Sequence, residues 1–299
     1  MVPDVLVERE EEEFKKGFNM EIEVKNQTDD EITFIIRDAE VPFVNAIRRI
    51  AMMEVPKMAI EDVYMVQNDS AMFDEVLAHR LGLTPLVSDL DAVDGLVMPD
   101  NCDCGDHCPK CSVSLTLNKS GPGVIYSKDL VSSDSKIKPV YDTIPLLKLK
   151  EGQNVELEAI AQLGIGKDHA KWVPTTVCAY KQYPEITFND DLNIDYVCVE
   201  ACPKKILKAN KKKGKIEVTD IESCTLCKAC ERACEKQLVK DENGNEFSKK
   251  YINVGYQENN FIFKIETDGS MPPKEVLLKA CDVLSNKADE FITFSKGGS

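Results

Sequence analysis

The segment Cys224-Thr-Leu-Cys227-Lys-Ala-Cys230-Glu-Arg-Ala-Cys234 restricts this chain more than any other stretch. Its spacing, C-x2-C-x2-C-x3-C, wraps thiolates around a cubane iron–sulfur cluster. A decayed copy lies 32 residues upstream, where Leu192, Asp195, Cys198 and Cys202 align with Cys224, Cys227, Cys230 and Cys234, and Ile206 with Leu238. Of the 12 cysteines, only Cys178 and Cys281 stand outside two tight groups. That distribution is unlike a disulfide framework and fits metal ligation in a reducing compartment.

The two halves resemble those of a bacterial two-cluster ferredoxin, in which the fourth cysteine of each half ligates the other half's cluster. On that pattern one cluster is complete, on Cys202, Cys224, Cys227 and Cys230. The other has lost two ligands to Leu192 and Asp195 and keeps only Cys198 and Cys234. A carrier that passes electrons between two centres does not fit this loss. The expectation is one structural [4Fe-4S] centre, with a [3Fe-4S] form or a second cluster as alternatives. Cys198 and Cys234 are expected close together, as a candidate pair for a disulfide or a partial second cluster.

A second metal signature is Cys102-Asp-Cys104-Gly-Asp-His107-Cys108-Pro-Lys-Cys111. Four thiols within ten residues, with Gly, Pro and Asp between them, suit a loop folded around tetrahedral zinc. Cys102, Cys104, Cys108 and Cys111 leave no open ligand position, so the site reads as structural. His107 is the substitute ligand, and disulfides or free thiols are the plainer reading.

The chain has 299 residues and is 43% hydrophobic, enough for two or three domains with a real core. Its net charge of −15 argues against a part that grips nucleic-acid phosphates. The one basic island, Lys204, Lys205, Lys208, Lys211, Lys212, Lys213 and Lys215, reads first as a solvated hairpin. A contact with an acidic partner or nucleic acid is the second reading. The acidic N-terminus lacks the apolar region of a signal peptide. No apolar run approaches the roughly 18 residues of a membrane span. A cytoplasmic location is expected.

Periodicity places these motifs on elements. Residues 20–24 and 31–36 read as a hairpin of strands. Pro42 opens a helix with Val44, Ile47 and Ala51 on one face, closed before Pro56. Asp69 or Ser70 caps a second helix with Val76, Leu77 and Leu81 inward, ending at Gly82. Residues 86–187 read as short strands and loops. Residues 261–265 form a strand, and Pro273 starts a long helix with Leu277, Cys281, Leu284, Ala288 and Phe291 on one stripe.

Three ordered stretches, Asn45-Ala-Ile-Arg-Arg49, Ala78-His-Arg-Leu-Gly-Leu-Thr-Pro-Leu86 and Gly164-Ile-Gly-Lys-Asp-His-Ala-Lys-Trp172, carry a resemblance over residues 18 to 299. They resemble the D subunit of archaeal DNA-directed RNA polymerase. That protein is the counterpart of the third-largest subunit of eukaryotic polymerase II and of the bacterial alpha subunit's N-terminal domain. The resemblance implies an α+β fold built on a discontinuous alpha-subunit-like dimerisation domain, 18–56 with 250–299. A mixed β insert domain with the cysteine knuckle, 57–187, and a ferredoxin-like iron–sulfur domain, 188–249, are placed inside it. Residues 1–17 are an acidic extension.

It implies a partner, the small L subunit, followed by the small N subunit and the two largest subunits. Leu277, Leu284 and Phe291 are the candidate partner stripe, and Arg48 and Arg49 the candidate contact to the second-largest subunit. A solvated face is the bland reading of that arginine pair. His79 reads as a packed or interface histidine. Gly164-x-Gly166 lacks the third glycine of a dinucleotide fingerprint, so Lys167 and Trp172 read as packing or interface residues. No catalytic aspartate cluster, P-loop or nicotinamide signature is present, so the subunit itself carries no catalytic residues. The competing functions are a cluster-based redox sensor of transcription and a ferredoxin-type electron carrier.

Overall fold

The computed structural model describes residues 20–189, 191–210, 214–240 and 246–297. The acidic extension, 1–17, and Lys211, Lys212 and Lys213 of the basic island lie outside them. Among the described residues no helix is long and apolar enough to cross a membrane. The architecture is α+β. In chain order it runs β1 (Glu21–Gln27), β2 (Glu31–Arg37), α1 (Val41–Met53), β3 (Lys57–Asn68), α2 (Asp74–Gly82), β4 (Ser112–Ser120), β5 (Gly123–Tyr126), β6 (Val131–Ser132), β7 (Pro145–Leu149), β8 (Asn154–Gly164) and β9 (Thr175–Phe188). Then follow α3 (Val197–Glu200), β10 (Leu207–Asn210), β11 (Lys215–Val218), α4 (Ala229–Ala233), β12 (Lys236–Lys240), β13 (Glu246–Lys250), β14 (Ile252–Thr267) and α5 (Pro273–Gly297). One four-stranded sheet has the order β1-β2-β14-β9.

The residues divide into two compact units. The larger holds Val24–Thr33, Pro42–Ala179 and the chain from Lys264 onward. Its centre is an antiparallel sheet of order β3-β8-β4-β6. Strand β8 alternates: Val155, Leu157, Ala159 and Ala161 are buried while Glu156 and Glu158 face water. That period of two gives the sheet one apolar face and fixes its register. Leu157 lies opposite Met65 on one side and Leu117 on the other. Edge strand β3 carries two register shifts, between Ile60 and Asp62 and between Met65 and Gln67, which break up its free edge.

Helix α2 buries Leu77 and Leu81 as expected, but Val76 is exposed, because it lies beside the i, i+4 seam rather than on it. The expected caps are also corrected. Phe73 precedes the helix with no side-chain cap bond. Asp69 instead accepts the Asn154 N–H at 3.1 Å, and the Ser70 hydroxyl donates to Asn68 at 2.6 Å. Both residues are absorbed by the turn leaving β3. The short strands expected over 86–187 become longer ones, 11 residues in β8 and 14 in β9.

Gly164 and Gly166 are required by close packing. A Cβ on Gly164 would lie 2.3 Å from Trp172, and one on Gly166 2.4 Å from the Met52 carbonyl. Helix α1 buries Val44, Ile47, Ile50 and Ala51. Helix α5 buries Val276 and Ala280, while Leu277 and Leu284 are half-buried and Phe291 and Phe294 are exposed. The buried Lys57 pairs with Asp268 and donates to the Val173 carbonyl, tying the start of β3 to the segment before α5.

The second unit holds Phe34–Val41 and Tyr180–Phe263. Phe34 stacks on Phe263 at 5.2 Å, and Tyr180 meets Phe261 edge-on at 5.5 Å. Beyond these strands, β10 pairs with β11 and β12 with β13. Helices α3 and α4 pack on each other and start 32 residues apart, the offset of the cysteine repeat. Leu192, Ile206, Leu207, Ile216, Tyr251, Ile252 and Val254 form its core together with five cysteines.

Candidate metal centres

The knuckle is a chain of turns. Cys102 N–H bonds to the Pro99 carbonyl at 3.0 Å, and Cys111 and Ser112 N–H to the Cys108 carbonyl at 3.0 and 2.9 Å. These turns bring Cys102 and Cys108 to 3.5 Å, Cys104 and Cys111 to 3.4 Å, and Cys108 and Cys111 to 3.7 Å. All four sulfurs lie within 4.8 Å of one another. Bonds of about 2.3 Å to a tetrahedral ion imply donor edges of about 3.8 Å, so this set can hold a metal ion. The Lys110 backbone N–H draws the Cys108 thiol down to about 7. Cys104 is pushed up to about 12, chiefly by the neighbouring Cys102 thiol. His107 is engaged elsewhere: its Nε2 lies 3.4 Å from Asp62 and 3.3 Å from Asp106.

The second group is arranged differently. Cys202, Cys224 and Cys230 are buried and Cys227 is exposed, and the four line one pocket with Ile186, Ile206, Leu207 and Val254. They line a space rather than converging on a point, which suits a polynuclear group with bulk of its own. Leu226 and Lys228, on either side of Cys227, both adopt left-handed backbone, with φ of 55° and 56°. Side chains rarely adopt that conformation, and it turns successive N–H groups inward, as in anion and iron–sulfur nests. The Ala229 N–H lowers the Cys227 pKa, whereas burial raises that of Cys230.

Two residues outside the cysteine words support this loop. Lys181 on β9 donates to the carbonyls of Glu222 at 2.5 Å and Cys224 at 2.6 Å. Lys250 donates to the Glu231 carbonyl, and the Glu231 carboxylate accepts the Val254 N–H at 3.1 Å. Sequence reasoning missed them because nothing in a motif marks a residue from a distant strand.

The decayed half is filled by other means. Leu192 packs into the core. The Asp195 carboxylate accepts the N–H of Glu235 at 2.8 Å and of Val197 at 3.1 Å, binding the two halves together. The Cys198 thiol donates to the Asp195 carbonyl at 2.9 Å, and burial pushes Cys198 up to about 12 and Cys234 upward. Within the basic island, Lys208 and Lys215 lie exposed on the hairpin β10–β11.

The remaining candidates are dispersed. Arg48 is half-buried and bonded to Asn45 at 3.1 Å, while Arg49 is exposed. His79 is exposed and shares a surface pocket with Glu61, His169 and Lys171. Lys167 is exposed, and Trp172 is buried with Lys171 over its ring at 4.4 Å.

Residues 63–175 match the RNA polymerase Rpb3/RpoA insert domain. DNA-directed RNA polymerase subunit Rpo3 of Methanobrevibacter smithii is 64% identical over 280 residues, 94% of this chain and 100% of the relative. The Rpo3 subunit of Methanothermobacter thermautotrophicus is 55% identical over 279 residues, 93% of this chain and 100% of its own. RNA polymerase II subunit rpb3 of Dictyostelium discoideum is 33% identical over 289 residues, 89% of this chain and 92% of its own. These names correct the designation expected from the sequence: the relatives are named Rpo3, and the D designation is withdrawn. They give no support to the redox-sensor or electron-carrier readings. With identity this high over nearly the full length, the chain belongs to the Rpo3/Rpb3 family of DNA-directed RNA polymerase subunits.

Proposed function

We propose that the chain nucleates polymerase assembly by pairing with the small L subunit, after which the small N subunit and the two largest subunits join in the cytoplasm. It is a non-catalytic assembly subunit of a DNA-directed RNA polymerase. The observation that carries the pairing is the far end of α5, where Phe291 is 72% and Phe294 82% exposed. Large aromatics left this open at the end of a helix call for a covering partner.

The dimerisation domain is assigned to 18–56 and 250–299, the insert domain to 57–187 and the ferredoxin-like domain to 188–249. Leu277, Leu284 and Phe291 face L, and Arg48 and Arg49 face the second-largest subunit. The knuckle holds one structural zinc on Cys102, Cys104, Cys108 and Cys111. Its thiol-only donor set and the fit of its edges to a tetrahedron support this ion. One [4Fe-4S] cluster sits on Cys202, Cys224, Cys227 and Cys230, where it ties the two halves of the repeat together. When bound it supplies cross-links rather than chemistry. Cys198 and Cys234 remain a buried thiol pair, open to a disulfide or a partial second cluster.

Two variants test the reading in copurification with L. Leu284→Asp buries an unpaired charge in the helix pair and is expected to abolish the heterodimer. Cys227→Ser is expected to lose about four irons per chain, the content of one [4Fe-4S] cluster, and keep L. Unchanged L affinity in Leu284→Asp overturns the helix assignment. Loss of L in Cys227→Ser overturns the separability of the cluster domain.

A further inference from the structure

We propose that Lys181 is a positioning residue of the cysteine-lined pocket: it locks the turn that carries Cys224 and sets a cation beside that ligand. The inference rests on the iron–sulfur reading given above. Lys181 lies 43 residues before Cys224, on strand β9. Its ammonium donates at 2.5 Å to the carbonyl of Glu222 and at 2.6 Å to that of Cys224. Local bonds also close this turn. Ser223 N–H reaches Asp220 at 3.3 Å, and Cys224 N–H reaches the Ile221 carbonyl at 3.0 Å. Lys181 ties the turn to a long strand.

Lys181 is half-buried, and its ammonium is fixed against the two carbonyls beside the ligand. A cubane on four thiolates is an anion, and it becomes more negative on reduction. A fixed cation at one ligand therefore resists ligand loss and favours the reduced form. Charge and clamp are separable. Glutamine offers two N–H donors to the same carbonyls but no charge, arginine keeps both, and methionine keeps neither.

The test uses the full chain loaded anaerobically with ferrous iron and sulfide. Three quantities are read: iron and sulfide per chain, the rate of iron release to a chelator, and the midpoint potential followed by electron paramagnetic resonance. Lys181→Met is expected to release iron on the order of 10-fold faster, the lower end of what is lost when a group holding a metal ligand is removed, and to have a more negative midpoint. Lys181→Gln is expected to retain iron as the parent does yet share the negative midpoint, and Lys181→Arg to restore both. If Lys181→Met fails to fold by circular dichroism, the midpoint of Lys181→Gln decides. Parental release and midpoint in Lys181→Met overturn the proposal. A parental midpoint in Lys181→Gln overturns its electrostatic half. A parent chain that takes up no sulfide overturns the cluster reading itself, which separates that failure from a silent lysine.

Discussion

Replacing Cys104 by serine is expected to release the knuckle's metal and open residues 98–111, leaving the sheet beneath them folded. The sulfur separations of 3.4, 3.5 and 3.7 Å are close to the edge of about 3.8 Å that a tetrahedral thiolate site requires. The loop therefore seats an ion with little movement, and little else holds it. Within 98–111 only Cys111 is buried, and apart from the Lys110 carbonyl, which accepts the Val97 N–H at 2.9 Å, the backbone bonds are single turns. Structural zinc in short peptides carries about 10–16 kcal/mol of apparent binding energy, which is coupled to the folding of the loop. A serine hydroxyl is a poor donor to a soft ion. Affinity should therefore fall by more than the roughly 10–100-fold typical of outer-shell changes. The core of Leu115, Leu117, Leu157 and Ala159 is independent of the ion, so the global melting temperature should move little. Fraying should reach the start of β4, because Ser112 bonds the Cys108 carbonyl through its N–H at 2.9 Å and its hydroxyl at 3.1 Å. Metal per chain, limited proteolysis with fragment mapping and thermal melting read these effects. A variant that keeps a full equivalent of metal against a chelator, with no new cleavage between 98 and 111, would refute the reasoning.

Asp268→Ala strands the buried Lys57 ammonium and is expected to cost about 3–5 kcal/mol. Urea titration measures it, and an unchanged midpoint would mean that the pair contributes nothing. Gly164→Ala forces a Cβ to 2.3 Å from Trp172 and is expected to cost about 1–3 kcal/mol. Because the chain has one tryptophan, its fluorescence reports the displacement directly. Metal affinity of the knuckle is expected to fall as pH drops, since each ligand must lose a proton. With Cys108 at about 7, the fall should be steeper below that pH, where one more proton is displaced. Chelator competition across pH checks this, and a flat profile would contradict it.

Motif and period were legible where the physics is local. The cysteine spacings mark both metal-type sites, because ligand geometry dictates how far apart along the chain donors stand. The stripe of α1 and the inward Leu77 and Leu81 of α2 follow from the helical period. Local reasoning failed where a distant segment supplied the partner. Asp69 and Ser70 look like caps, yet they close the turn beside β8. The glycines at 164 and 166 look like a loop signature, yet each leaves room for the packing of Trp172, Val173 and Met52. The decay of the second ligand set is plain in the sequence as Leu192 and Asp195. Only the fold reveals that one fills the core and the other takes two backbone N–H groups, one of them, from Glu235, across the repeat. Lys181 bears no mark at all in the sequence. Strand β9 brings its ammonium to 2.6 Å from a carbonyl 43 residues away, and side-chain chemistry at such range depends on tertiary approach rather than on neighbours in the chain.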